Sequence, residues 1–466
     1  MHMPMDTHTA TITDDDWREL TSVQRLPGLS AHGQAMLLRL RTHPAAPHFR
    51  DFSGHRLSPA DLKRARQQHE WLRHAHVQSH AGDTAPPLWV WPWLWRHCGR
   101  VAQWPSWWQG WRGWSHLPTM SRADLQSNLR RHVPLHLQGP DLLCFSTSGT
   151  TGHPIRVPST PLAAAAYQPL HERALALHGV ALEAGRGDVG MVLAGHQQRC
   201  FTYVSVNPQR GECGLVKLNL FESEWRNPDD RACYLDDLQP ELISGDPVSL
   251  SELARLDMQH RPKALLSTSM SLSLGLRERL ALRFSCPVVD IYSMNEAGPL
   301  AVWLEAAQGH VWLQAGMHVE ILSADGQPLP EGEWGEITVT GGINPCLPLL
   351  RYRTGDHARL VMTAWGPTLR DLQGRPPVRF KAACGRWVNN VELTQSLRHF
   401  DLQRFAIHQH ADLSLHMRIA TTTPNEAALH GQVRLALNTL LGPLPLQIEQ
   451  LLAQDKVRQY TSELSA

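Results

Sequence analysis

Paired cysteines are missing from this chain. Its eight cysteines, at positions 98, 144, 200, 213, 233, 286, 346 and 384, include no Cys-x-x-Cys spacing, which argues against a disulfide framework and a cysteine-built zinc site. Histidine is plentiful at 27, yet no His-Glu-x-x-His or comparable ligand spacing occurs, and most of these side chains are expected at the surface. No stretch reaches the roughly 18 consecutive apolar residues that a membrane span needs. Residues 1–16 carry acids and no apolar core segment, so they fit neither a signal peptide nor a transmembrane helix, and a soluble, cytoplasmic protein is expected. An excess of charge of one sign is also lacking: Lys+Arg 44 against Asp+Glu 43 leaves +1, with no basic block for capturing nucleic acid.

What is present is globular. The 466 residues, 42% hydrophobic and 19% charged, are enough for two or three domains around a large core. Ser58-Pro59-Ala60-Asp61 has the form of a capping box with proline at the first helical position, and an amphipathic helix is expected to follow. Ser121-Arg122-Ala123-Asp124 has the same form. Between them, tryptophans 89, 91, 93, 95, 104, 107, 108, 111 and 114 form a dense cluster. A sugar platform or membrane belt would use such residues, but an aromatic plug within one large domain is expected.

Further on, 162–179 is expected to be helical with a break at Pro169. Strand-like runs at 189–194, 242–243, 264–266 and 288–291 then alternate with helices, one of them at Ser249-Leu250-Ser251-Glu252. That rhythm predicts α/β layering on a mainly parallel sheet. From 319 to 340 the pattern shifts to short strands around a hairpin-type turn at 324–328. After about Gly374, two alternating strands, a helix over 425–440 and a last strand-like segment predict a small α+β lobe. The expected division is 1–373, with 1–114 a helical and Trp-rich extension, and 374–466.

The most informative stretch is Ser146-Thr147-Ser148-Gly149-Thr150-Thr151-Gly152-His153-Pro154, directly after the apolar run 142–145. Glycines let a backbone approach closely, and successive N–H groups and hydroxyls suit anionic oxygens, although an ordinary turn also uses these residues. It is not a Walker loop, because the Gly-Lys-Ser/Thr ending is absent. Other segments follow in order: Tyr292-Ser293-Met294-Asn295-Glu296-Ala297-Gly298-Pro299, then Gly332-Glu333-Trp334-Gly335-Glu336, then Arg351-Tyr352-Arg353-Thr354-Gly355-Asp356, then Gly374-Arg375, and finally Asp455-Lys456-Val457-Arg458.

This order resembles the adenylate-forming superfamily of acyl-CoA synthetases and adenylation domains, and within it the phenylacetate-CoA ligase branch. The Arg-Tyr-Arg-Thr-Gly-Asp form, the segment 117–125 and the segment 280–296 favour that branch. The resemblance runs from about 115 to 460, and residues 1–88 carry none. It implies a large N-terminal domain of layered sheets and helices with a small mobile C-terminal lid. It also implies ATP- and Mg²⁺-dependent activation of a small carboxylic acid, with an aryl acid expected, followed by transfer to the thiol of CoA or of a carrier protein's pantetheine. By the same resemblance Thr147, Ser148, Gly149, Thr150, Thr151 and Gly152 hold the β- and γ-phosphates. Tyr292 stacks on adenine, Asn295 donates to phosphate, Glu296 binds Mg²⁺, Asp356 accepts the ribose hydroxyls, Arg375 sits at the lobe junction and Lys456 reaches the reacting carboxylate.

Three departures stand out. His153 replaces the usual lysine of the glycine loop, Asn295 replaces threonine, and Pro376-Pro377 stands where an aspartate-containing hinge is usual, so a stiffer pivot is expected. Two alternatives remain open at this level: an adenylating ligase that forms an ester or amide in a natural-product pathway, and a nucleotide-binding relic without turnover. Phe201 and Tyr203 are expected to pack in the core rather than line an acyl pocket.

Overall fold

The computed structural model describes residues 12–78, 85–97, 101, 113–138, 142–146, 155–197, 200–374, 378–397, 400, 402, 404–421, 426–451 and 460–464. The chain divides into two compact units. The first comprises Met1–Arg122, Asn128–Leu143 and Pro158–Leu372; the second comprises Ala123–Ser127, Cys144–Val157 and Gln373–Ala466.

A thirteen-stranded sheet organises the first unit. At its centre Cys213–Asn219, Val189–Gly195, Leu242–Gly245, Ala264–Ser267 and Val288–Met294 lie side by side, all parallel. Leu242–Gly245 and Ala264–Ser267 are buried along their whole length, as expected for strands covered on both faces. The mainly parallel sheet predicted from sequence is thus confined to this centre. Beyond Val288–Met294 the strands Gly298–Leu304, Gly309–Trp312 and Gly366–Gln373 pair antiparallel, and Met317–Leu322, Trp334–Gly341 and Leu349–Thr363 complete that side. The reason is connection length: between 219 and 288 a helix separates each strand from the next, whereas a three-residue link such as 295–297 permits only a hairpin.

Helix starts follow their capping chemistry. Pro59–His74 begins at Ser58, whose hydroxyl accepts from the Asp61 N–H at 3.1 Å. The helix expected at Ser249 starts earlier, at Pro247, because Asp246 caps it by accepting from Ser249 N at 2.9 Å. The break expected at Pro169 falls instead at Ala166, between Pro161–Ala165 and Tyr167–Leu177. Pro169 sits in the first turn of the second helix, where its missing N–H costs nothing.

Residues 12–46 are not an appendage. Leu20, Leu26, Met36, Leu37 and Leu40 share one core with Val192, Val216, Ile243 and Leu265 of the parallel strands. Of the tryptophan cluster, Trp114 is buried and its indole donates to Glu320 Oε1 at 2.9 Å, while Trp91 meets it edge-on at 5.9 Å between centroids. Trp95, on the helix Val90–His97, is 68% exposed. Tryptophans 104, 107, 108 and 111 lie outside the described residues.

The second unit has its own core. Its four-stranded sheet runs in the order Leu446–Gln450, Leu415–Ala420, Arg404–Gln409, Tyr460–Ser462. Along Leu415–Ala420 the residues Leu415, Met417 and Ile419 are buried and alternate with half-buried His416 and Arg418. Phe405, Ile407, Met417, Val433, Leu437 and Leu441 pack together with the helix Glu426–Leu441.

Candidate active site

The site is built from two strands of the first unit that bring distant motifs together. Val288–Met294 and Gly298–Leu304 form a hairpin closed by the Met294–Gly298 pair, with Glu296 in its turn. Gly298 has φ +79, a conformation that favours glycine, and a Cβ there would lie 3.1 Å from both Tyr167 Cε1 and Ile343 Cδ1. Gln314, fully buried, donates from its amide to Ala297 O and Pro299 O, each at 2.7 Å, and so holds the turn from behind.

The long strand Leu349–Thr363 carries the second motif. Its register against Trp334–Gly341 slips between Glu336 and Thr338, so that the residues between Arg353 and His357 form a bulge. Gly355 supplies the positive φ of +82 that the bulge requires. Glu336 fixes the bulge, accepting from Gly355 N at 2.9 Å and from Arg353 Nε at 2.7 Å. Thr354 Oγ1 donates to Ile337 O at 2.9 Å and accepts from Asp356 N at 3.1 Å. The bulge re-aims Asp356 toward the hairpin, where its Oδ2 accepts from the Tyr292 hydroxyl at 2.8 Å. Burial, then the adjacent Asp356 carboxylate, holds the Tyr292 phenol well above its ordinary pKa, so it acts as a donor.

Glu296 is almost fully buried, at 3% exposure. Its Oε1 receives Arg122 Nη1 at 3.0 Å and the Tyr352 hydroxyl at 3.3 Å. Arg122 reaches it because Met120–Ser121 runs parallel to Leu349–Thr363, with Met120 opposite Tyr352 and Ser121 opposite Arg353. Tyr167 lies nearby; burial, aided by the Glu296 charge, pushes its phenol up to about 12. A magnesium ion in a nucleotide site takes one or two carboxylates beside phosphate oxygens and waters, and a single buried carboxylate on a rigid hairpin fits that donor set.

Of the residues singled out in the sequence, the structure therefore brings Tyr292, Glu296 and Asp356 together and leaves Asn295, in the same turn, exposed. Thr147, Ser148, Gly149, Thr150, Thr151, Gly152, Arg375 and Lys456 lie outside the described residues. Arg122, Tyr352 and Tyr167 were not picked out as site residues by sequence. Arg351, the first residue of the Arg-Tyr-Arg-Thr-Gly-Asp segment, is 1% exposed and points elsewhere: it donates to Ser115 O, Leu117 O and Gly326 O and pairs with Glu320. The expectation of core packing fails for Phe201, which is 42% exposed and meets the half-buried Tyr203 in a tilted contact at 5.4 Å between ring centroids, because Tyr203–Asn207 is an outer strand of the sheet.

No family model matches the chain. Over 146 residues it is 30% identical to the phenylacetate-coenzyme A ligase of Escherichia coli (strain K12), a match covering 28% of this chain and 33% of that enzyme. Over 298 residues it is 26% identical to the phenylacetate-coenzyme A ligase of Thermus thermophilus, covering 60% of this chain and 62% of that one. Over these stretches the chain is similar in sequence to phenylacetate-coenzyme A ligases. It matches less than two thirds of the length of either relative. Its fold agrees with that of 2-hydroxyisobutyryl-CoA ligase, solved with 2-HIB-AMP and CoA in the thioesterification state, at TM-score 0.52 and 17% identity, covering 87% of this chain and 91% of that one. The α/β architecture with a small sheet lobe is thus shared with that ligase structure. No helix among the described residues is long and apolar enough to cross a membrane.

Proposed function

We propose that this protein uses ATP to activate a small carboxylic acid as its acyl-adenylate and then passes the acyl group to a thiol, that of CoA or of a carrier protein's pantetheine. The phenylacetate-coenzyme A ligase homology favours an aryl acid, and a reaction drawing on ATP and CoA belongs in the cytoplasm. In the first step a carboxylate oxygen attacks the α-phosphorus, an acyl–phosphate bond forms and pyrophosphate leaves. In the second the thiol sulfur attacks the acyl carbon and AMP leaves.

The observation that carries this reading is the convergence of Tyr292, Asp356 and Glu296 from two separate motifs. In this scheme the flat ring of Tyr292 stacks on adenine. Asp356, oriented by the Tyr292 hydroxyl, accepts the ribose hydroxyls. Glu296, braced by Arg122 and Tyr352, holds Mg²⁺, which when bound neutralises phosphate charge. Residues 147–152 cradle the β- and γ-phosphates, with Asn295 donating beside them. Arg375 serves ribose or phosphate, and Lys456 stabilises charge between the carboxylate and the α-phosphate.

The test is ATP–pyrophosphate exchange measured with a panel of aryl and alkyl acids, followed by CoA consumption with the acids that support it. Exchange that depends on an aryl acid is the expected result. A chain that binds ATP yet exchanges with no acid would overturn the proposal.

A further inference from the structure

We propose that His408, His410 and Glu463 form a zinc-binding site on the sheet of the second unit, a feature that does not depend on the acid-activating reading. His408 and His410 are alternate residues of an extended segment, so their rings stand on one face of the sheet. Gln409 between them points the other way; it is fully buried and its amide is fixed by Lys381 N and Lys381 O at 2.7 and 2.9 Å. Tyr460–Ser462 runs parallel to this strand with Thr461 beside His408, and Glu463 N continues the pairing by donating to Gln409 O at 2.9 Å. Pairing therefore delivers the Glu463 carboxylate to the two imidazoles.

The geometry suits a cation. Glu463 Oε1 lies 3.2 Å from His408 Nε2 and 3.3 Å from His410 Nδ1, and all three ligand atoms fall within 4.8 Å of one another. Zinc bonds of about 2.0–2.1 Å in a tetrahedron place neighbouring ligand atoms roughly 3.3 Å apart. The outer contacts orient each ligand as metal sites require. Thr461 Oγ1 engages His408 Nδ1 at 2.8 Å, which directs Nε2 toward Glu463, and the Ala411 N–H holds Glu463 Oε2 at 2.8 Å, which directs Oε1 toward the histidines. Of the neighbouring groups, Asp412 accepts from Ser414 while its charge also reaches His410, and His416 pairs with Glu449 at 3.0 Å.

A divalent cation satisfies both rings in their neutral form together with the carboxylate. Two imidazole nitrogens and one oxygen suit zinc rather than magnesium or calcium, which take oxygen ligands, and a water completes four-coordination. No local motif marks this site in the sequence, because the third ligand lies 53 residues away from His410 and is supplied by strand pairing. Bound zinc would pin the strand Tyr460–Ser462 to Arg404–Gln409.

The test uses the full chain without an affinity tag, stripped with chelator, and titrated with Zn²⁺ in competition with a chromogenic chelator. Cobalt(II) is added in parallel as a visible-spectrum probe of tetrahedral coordination. The expected result is one tight equivalent, with binding at least about 100-fold weaker in His408→Ala and His410→Ala, and roughly 10-fold weaker in Thr461→Val, which removes only an orienting contact. Zinc should raise the unfolding temperature of the wild type and not of the ligand variants. Glu463→Gln preserves shape and guards against a folding defect; it too should lose the tight site. Equal zinc binding in the wild type and in the His408→Ala/His410→Ala double variant, or no tight equivalent in the wild type, would overturn the proposal.

Discussion

Tyr292 and Asp356, 64 residues apart in the chain, are joined by a hydrogen bond of 2.8 Å from the phenol to Oδ2. A hydrogen bond to a charged acceptor contributes about 1.5–3 kcal/mol. Tyr292→Phe keeps the ring and removes only this bond. It is therefore expected to raise KM for ATP roughly tenfold or more while the protein stays folded, whereas Asp356→Ala should abolish saturation by ATP in the accessible range. Steady-state exchange kinetics at varied ATP check both, and an unchanged KM in Tyr292→Phe would detach the bond from nucleotide binding.

Arg122 and Glu296 form a largely buried ion pair at 3.0 Å. Removing one partner strands the other's charge in the interior, which typically costs about 3–5 kcal/mol. Arg122→Ala should lose stability on that scale in urea unfolding, and the double variant Arg122→Met/Glu296→Gln should recover part of it. Glu296→Gln alone should weaken the dependence of exchange on Mg²⁺.

The order of motifs was legible because Tyr292, Glu296 and Asp356 each lie in a short, recognisable segment. Their braces were not legible. Arg122 and Tyr352 meet Glu296 only because Met120–Ser121 pairs with Tyr352–Arg353, and parallel pairing between segments more than 200 residues apart leaves no local periodicity. The bulge at Gly355 is likewise a property of register against Glu336, not of the Thr-Gly-Asp residues alone. The parallel centre of the sheet could be read from fully apolar runs such as 264–266. The antiparallel remainder, whose strands alternate less clearly, was foreseen only around 319–340.

Acid should destabilise the protein through a half-buried histidine. Burial pushes the His171 imidazole down to about 4, with Glu172 working in the opposite direction. In the unfolded chain its pKa is about 6.5. The folded state therefore binds fewer protons between these values, and its contribution is fully present above about pH 6.5 and lost as pH falls toward 4. Over a fall from about pH 7 to about pH 5 the loss from this group is at most roughly 2 kcal/mol. Urea unfolding at those two conditions should show a smaller drop for His171→Gln than for the wild type; equal drops would contradict the assignment.

In the proposed scheme Lys456 serves the reacting carboxylate and the α-phosphate. Removal of one such charge stabiliser typically lowers the rate by about 10²–10³. Lys456→Ala is expected to fall by that amount in exchange while its affinity for ATP, measured by equilibrium binding, stays within a few-fold of wild type. Unchanged exchange would remove Lys456 from the chemistry.

The most direct test of the account is carboxylate-dependent ATP–pyrophosphate exchange by the full chain. The account predicts rapid exchange with at least one aryl acid, dependent on Mg²⁺ and strongly reduced in Asp356→Ala. Binding of ATP with no exchange under any acid in the panel would contradict it.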